Sequence, residues 1–262
     1  MLNLPEVSVI MPSHNDALHL KEAVASVVAQ THTDWEIRLV DDGSNAAMAA
    51  QIRTLVAQYQ AQGYAIHLHR HAKAQGAASA RNTAIHAAKG RYIAFLDADD
   101  IWLPEKLAEQ TRFMRQHQTA FSYTAYEQRL NNSVTGESQP LATVSAPQRL
   151  THQDLLKGCV VGCLTVMYDS HQIGKRYMPQ LPCSQDYALW LAILREHPEG
   201  RGLNKVLARY TRRPGSLSSN KWRKVKYHWM ICRQQEHLSY WQSVLSLVQC
   251  TGHSLIKRYG RR

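Results

Sequence analysis

From Val7 to Leu96 the chain repeats one pattern: a short apolar run, a polar turn, then a longer stretch with helical apolar spacing. Val7-Ser8-Val9-Ile10-Met11 has the length and β-branching of a strand and stops at Pro12. Asn15 and Asp16 then offer cap side chains to a helix marked by Leu20, Val24, Val27 and Val28. Glu36-Ile37-Arg38-Leu39-Val40 is the second strand, closed by Asp41-Asp42-Gly43-Ser44, and Ile52, Leu55, Val56 and Tyr59 mark the next helix. Ala65 to His71 reads as a third strand. Gly76 opens an Ala-rich helix through Ala80, Ala84, Ile85 and Ala88, which Gly90 stops. Tyr92 to Leu96 is a fourth strand. Such alternation predicts an α/β fold with a mainly parallel, doubly wound sheet. Ligands bind these sheets beyond the carboxyl ends of the strands. Three unusual loops lie there: Pro12-Ser13-His14-Asn15, Asp41-Asp42-Gly43-Ser44 and Asp97-Ala98-Asp99-Asp100.

The last of these gathers three carboxylates at a strand end. Like charges so close repel unless a cation joins them. Hard oxygen ligands of this kind suit Mg²⁺ or Mn²⁺ shared with substrate phosphates. The same residues also suit an Asp-rich turn, with Asp100 capping a helix that starts near Pro104. Taken alone, the four residues leave both readings open.

Composition narrows the class. With 262 residues, 44% of them hydrophobic, the chain can build one large α/β domain plus an extension. No apolar run is long enough to span a bilayer, and no secretory signal is evident at the N-terminus. Five scattered cysteines, an odd number, point to a reduced, cytoplasmic setting. Charge is uneven. Of the 31 Lys and Arg, 14 fall from Arg201 onward against one acid, Glu236, which leaves the first 200 residues near neutral. His67, His69 and His71 alternate along one strand face, a pattern for a half-exposed strand more than for a metal. Ser44 and Ser79 have no His–acid pair in reach of the sequence, and Gly43 and Gly76 lack the spacing of a phosphate-binding glycine loop.

Five pieces in register resemble the family 2 glycosyltransferases of GT-A fold. They are Val7 to Asn15; Val40-Asp41-Asp42-Gly43-Ser44; Gly76-Ala77-Ala78-Ser79-Ala80-Arg81-Asn82; Phe95 to Asp100 with Trp102 and Pro104; and Gln185-Asp186-Tyr187-Ala188-Leu189-Trp190. The resemblance spans roughly residues 5 to 220. It implies a Rossmann-like nucleotide-sugar half over about 1–120 and an acceptor half over about 121–220, followed by a basic helical extension over 221–262. Thr165-Val166-Met167-Tyr168 before Gln185-Asp186-Tyr187 resembles enzymes of bacterial surface polysaccharides, such as teichuronic acid, capsule and exopolysaccharide transferases.

The resemblance also assigns roles. Pro12, Ser13, His14, Asn15 and Asp41 would hold the nucleotide; a carboxylate accepting from a uracil imide N–H favours UDP. Asp42 would do no more than shape the turn. Arg81 either reaches the nucleotide or the acidic loop, or is a solvated helix charge. The Asp97-Ala98-Asp99 stretch would line the donor and hold Mn²⁺ or Mg²⁺ against its diphosphate, with Asp99 the direct ligand and Asp97 acting through water or the sugar. Asp186 would be the general base in an inverting displacement. This chain has Gln185 where many members carry Glu; without the family context, Asp186 reads as a helix N-cap. Arg212 or Arg213, in a basic loop after a strand, would pair with the diphosphate. The acceptor would be a glycan or a lipid-linked saccharide.

Two rivals share these features. A sugar nucleotidyltransferase would also use Asp-bound metal but release pyrophosphate. A non-catalytic protein would keep the nucleotide pocket alone. In the tail, Lys221-Trp222-Arg223-Lys224-Val225-Lys226-Tyr227-His228-Trp229 interleaves basic and aromatic residues, and Trp241, Leu245 and Val248 extend an apolar stripe. Either this segment lies on an anionic membrane, or it packs on the catalytic domain with a solvated basic face. No nucleic-acid motif accompanies it, so no nucleic-acid partner is expected.

Overall fold

A computed structural model describes residues 4–131, 138–212 and 221–259. β1 (Val7–Ser13), α1 (Ala17–Val28), β2 (Trp35–Asp41), α2 (Ala46–Ala61), β3 (Ile66–Arg70), α3 (Ala77–Ala87) and β4 (Tyr92–Phe95) form the expected alternation. Asp16 caps α1 by accepting from the His19 N–H. β3, β2, β1 and β4 are neighbours and all parallel. Each strand is joined to the next by a helix, so this half follows the crossover rule. The register sets Ser13 beside Asp41 and Ile10 beside Phe95, so the three loops emerge at one end of the sheet.

Beyond β4 the sheet is mixed rather than parallel. β5 (Ile101–Trp102), α4 (Lys106–His117), β6 (Phe121–Asn131), β7 (Ser138–Val144), β8 (Arg149–Leu150) and α5 (His152–Lys157) come next. β9 (Met167–Asp169), α6 (Ser170–Ile173), α7 (Gln185–Glu196) and β10 (Gly200–Arg212) complete the α/β body. β9 lies antiparallel between β4 and β6, while β10 runs parallel to β6. β7 returns antiparallel along β6. Trp190 on α7 is fully buried between Phe95 and Phe121, with ring centroids at 5.2 and 5.4 Å, and so fixes α7 on the sheet.

Two further helices, α8 (Lys221–Met230) and α9 (Tyr240–Tyr259), follow, joined through a π-helical turn at Ile231–Gln235. One side of this pair packs on the α/β body. Ile231 is fully buried in the same core cluster as α7, and the His228 ring stacks on Tyr187 at 5.5 Å. Glu236 pairs with His152 at 2.6 Å and with Arg195 at 2.5 Å. Glu236→Ala is expected to lower stability by about 1 kcal/mol, because its partners keep access to water. Hydrogen exchange is expected to rise in α8 and α9 and stay unchanged in β1–β4. No helix among the described residues is long and apolar enough to cross a membrane.

Candidate active site

The first two loops are stapled together. His14 donates from Nδ1 to the Asp42 carbonyl at 2.8 Å, and its Nε2 accepts from the Asn15 amide at 2.9 Å. Asn15 has φ 52°, in the left-handed region that Asn tolerates. Its N–H donates to Ser44 Oγ and its Oδ1 accepts from the Asn45 N–H. Asp41 is buried: one oxygen accepts from the Ser44 N–H at 3.0 Å and the other meets Arg70 Nε at 3.2 Å.

Asp42 does more than shape a turn. Its carboxylate accepts from the N–H groups of Gln75 and Gly76 at 2.9 and 2.8 Å and from His71 at 2.6 Å. Burial raises its pKa, but these donors outweigh it and hold the carboxyl below the usual range. His71 therefore does not continue the face of His67 and His69; it leaves the strand and turns inward to serve Asp42. Gly43 has φ 69°, and a Cβ there would fall 2.3 Å from the Ala74 nitrogen, so the 73–74 backbone closes directly over it.

Arg81 is not a solvated helix charge. It is buried, and Nη2 donates to Asp97 Oδ1 at 2.5 Å. Burial disfavours its charge, yet Asp97, the Cys163 thiol and Asp186 together raise its pKa, so it stays cationic. The acidic loop thus pairs with Arg81, and the start of α7, distant in sequence, brings Asp186 within electrostatic reach of the same guanidinium. Asp186 lies in the first turn of α7, while Ser184, with φ 60°, occupies the N-cap position. The cap alternative for Asp186 is thereby removed. Leu189, Trp190, Ile193 and Leu194 are all buried, as the helix pattern required. Burial, with Asp97 adding to it, raises the Asp186 pKa against the lowering by Arg81 and local N–H groups.

The remaining acids divide the work. Asp97 and Asp99 are half-buried at the mouth of the β4 strand end, with the small side chain of Ala98 buried between them. Asp100 is buried and accepts from the Thr211 N–H at 3.0 Å. It does not cap a helix; α4 begins at Lys106, with Glu105 at the cap position. Asp100 instead ties the end of β10 to the acidic loop, which places exposed Arg212 one residue away. Arg213 and the rest of 213–220 lie outside the described residues.

Sequence reasoning quoted Asn82 but gave it no task. Its side chain makes two hydrogen bonds to the Met178 backbone, both at 2.8 Å. That pair fixes the segment leading into Asp186 against α3. Cys163, to which the sequence assigns no role, lies within electrostatic reach of Arg81, Asp97 and Asp186, with its thiol pKa pushed well up by burial.

The model of "Glycosyl transferase family 2" matches residues 8–167. The chain belongs to that family. Asp186 lies past the matched segment, but the relatives extend over it. A Bacillus subtilis protein named as a putative teichuronic acid biosynthesis glycosyltransferase, TuaG, is 38% identical over 97% of this chain and 98% of its own length. An Escherichia coli protein named as a UDP-Glc:α-D-GlcNAc-diphosphoundecaprenol β-1,3-glucosyltransferase, WfgD, is 37% identical over 86% of this chain and 84% of its own. Among solved structures, Staphylococcus aureus TarS in complex with UDP-GlcNAc aligns at TM-score 0.67 and 21% identity, over 87% of this chain and 65% of that one. A mannosyltransferase from Pyrobaculum calidifontis, in complex with GDP-Man and Mn²⁺, aligns at TM-score 0.68 and 15% identity, over 94% and 69%. The family 2 chain is accordingly a glycosyltransferase of GT-A fold.

Proposed function

We propose that this glycosyltransferase moves a sugar from a UDP-sugar to a lipid-linked or glycan acceptor in surface-polysaccharide synthesis, with Asp186 as general base. One observation carries the proposal: buried Arg81 pairs with Asp97, and Asp186 lies within electrostatic reach of the same guanidinium. A donor-side acid and an acceptor-side acid thereby face one small space. The relatives' names supply the substrate classes, a UDP-sugar donor and a diphosphoundecaprenol-linked acceptor. The GDP-Man complex of a similar fold means that the base preference must come from local residues, here the loop 12–15 and Asp41.

The donor set fits Mn²⁺ or Mg²⁺. Among the described residues no group of three His, Cys, Asp or Glu could hold a metal ion by itself. Two half-exposed carboxylates one residue apart suit a cation that takes its other ligands from phosphates and water. Asp99, with Asp97, would hold it; when bound, the ion offsets the negative charge of the departing diphosphate. Arg81 already neutralises one Asp97 oxygen.

The chain's own residues do the rest. Asp186 takes the proton from the acceptor hydroxyl as that oxygen attacks the anomeric carbon in line. The raised pKa makes Asp186 a better proton acceptor than an ordinary aspartate. Arg81 opposes the burial that raises the Asp186 pKa. A single displacement inverts the anomeric centre, so an α-linked donor gives a β-glycoside. Arg212 and the first loop would hold the donor phosphates and base. Such chemistry belongs on the cytoplasmic side of a membrane that carries the acceptor.

A panel of UDP-sugars, scored by UDP release and by thermal stabilisation, tests the proposal. Release of pyrophosphate instead of UDP would favour a nucleotidyltransferase. Asp99→Asn is expected to reduce transfer at least ~100-fold, the scale of a lost electrostatic group. It should also remove the Mn²⁺ dependence of UDP binding measured by calorimetry. Wild-type transfer by Asp99→Asn would overturn the ligand assignment.

A further inference from the structure

Helix α9, over its described side chains from Tyr240 to Cys250, is inside out for a structure in water. On α9 the buried side chains include Ser243, 0% exposed, and Ser246, 4% exposed. The outward ones include Trp241 at 77%, Leu245 at 56% and Val248 at 60%. Spacings of four and three put these three on one stripe. A surface helix normally shows the reverse, with its apolar stripe toward the core. Ser246 gives its hydroxyl to the Leu156 carbonyl at 2.6 Å and meets His228 Nε2 at 2.9 Å, so the inward orientation is fixed by hydrogen bonds.

The apolar stripe continues onto α8. Trp222 is 84% exposed, and Trp229, two helical turns later, lies on the same side. The Trp229 ring meets Tyr240 edge-on at 5.4 Å, and Tyr240 meets Trp241 at 5.5 Å. The two helices therefore present one continuous aromatic band. The described charges on the pair are one-sided: Lys226 and Arg233 are exposed and Arg223 half-buried, against a single acid in the segment, Glu236. That acid is turned inward and paired with His152 and Arg195, so it does not offset the basic surface.

We propose that this aromatic, basic face docks on an anionic phospholipid surface, lying in the interface rather than crossing it. Exposed Trp suits the headgroup level, and Lys and Arg suit anionic lipids. A second copy of the chain fits less well, since a symmetric contact would set two basic patches against each other. The docking face is fixed to the candidate site: Tyr187, next to Asp186, stacks on His228 of α8 with planes 14° apart. The membrane would then hold the base helix beside a lipid-linked acceptor. That consequence rests on the acceptor reading above; the docking does not.

The test is co-sedimentation of the full chain with extruded vesicles containing no acceptor. Vesicles of equal parts phosphatidylcholine and phosphatidylglycerol are compared with phosphatidylcholine alone. Uptake is expected on the anionic vesicles, falling with added salt. The double variant Trp241→Ser/Leu245→Ser is expected to lower the partition coefficient at least ~10-fold, given the apolar area removed. Its UDP binding, and its transfer to a detergent-solubilised acceptor, are expected to match wild type. No uptake by wild type at low salt would overturn the proposal, as would equal uptake by the double variant. So would a concentration-dependent dimer, lost in the variant, without vesicle uptake. Absence of any transfer activity would instead count against the acceptor reading and leave the vesicle result standing.

Discussion

Asp186→Asn is expected to lower kcat about 1,000-fold, within the range a positioned general base supplies. UDP and Mn²⁺ should still bind, because the proposed role of Asp186 is toward the acceptor hydroxyl and not the nucleotide. Stability gives a second readout. Burial raises the Asp186 pKa in the folded state, so ionising it in the fold carries a cost. Asparagine removes that cost, and Tm is expected to rise while activity falls. A purely structural acid would lose both together. The pH profile follows from the same shift. Activity is expected to decline on the acidic side with an apparent pKa above that of an ordinary aspartate, and the Asn variant's residual rate should lack that limb. Full transfer by Asp186→Asn would remove the base assignment.

Lys106→Met is the largest expected change in stability. Lys106 is fully buried with no carboxylate beside it. Its ammonium reaches Gln110 Oε1 and sits 4.7 Å from the centre of the Trp102 ring. Burial pushes its pKa down from 10.5 to about 7. The unfolded chain therefore binds one more proton than the folded chain between about pH 7 and 10.5, and stability rises with pH across that window. A shift of this size corresponds to a cost of order 5 kcal/mol at and below neutral pH. Methionine removes that cost but strands the Gln110 oxygen, worth about 1–3 kcal/mol, and loses the ring contact. The variant is expected to be more stable than wild type by about 2 kcal/mol at pH 6 and less stable at pH 10. Urea melts at the two pH values check this. Parallel curves with no crossing would show that Lys106 stays charged in the fold.

Much of the architecture was legible. The four strands before Asp97, their helices and the convergence of three loops follow from local apolar spacing and from cap and turn residues. The mixed half was less so. β9 is three residues long and sits between strands far apart in sequence, so no periodicity announces it. His71 reads as the last residue of an alternating strand; the unmet carboxylate of Asp42 draws it inward. Asp100 reads as a helix cap, yet its partner is the backbone of Thr211 at the far end of β10. Arg81 reads equally well as a surface charge or as a site residue. Its burial against Asp97 settles that, and burial is a property of packing.

The sequence by itself determined the strand–helix alternation, the family and the set of acids at the strand ends. These depend on residues close together along the chain, where periodicity and turn chemistry act. Only the tertiary structure decided that Arg81 joins Asp97 to the neighbourhood of Asp186, that Asn82 pins the approach to α7, and that α9 turns its serines inward and its Trp241 outward. Each of those outcomes is a choice of partner across a long sequence separation. Packing, desolvation and hydrogen-bond satisfaction make that choice, and none of them has a local signature.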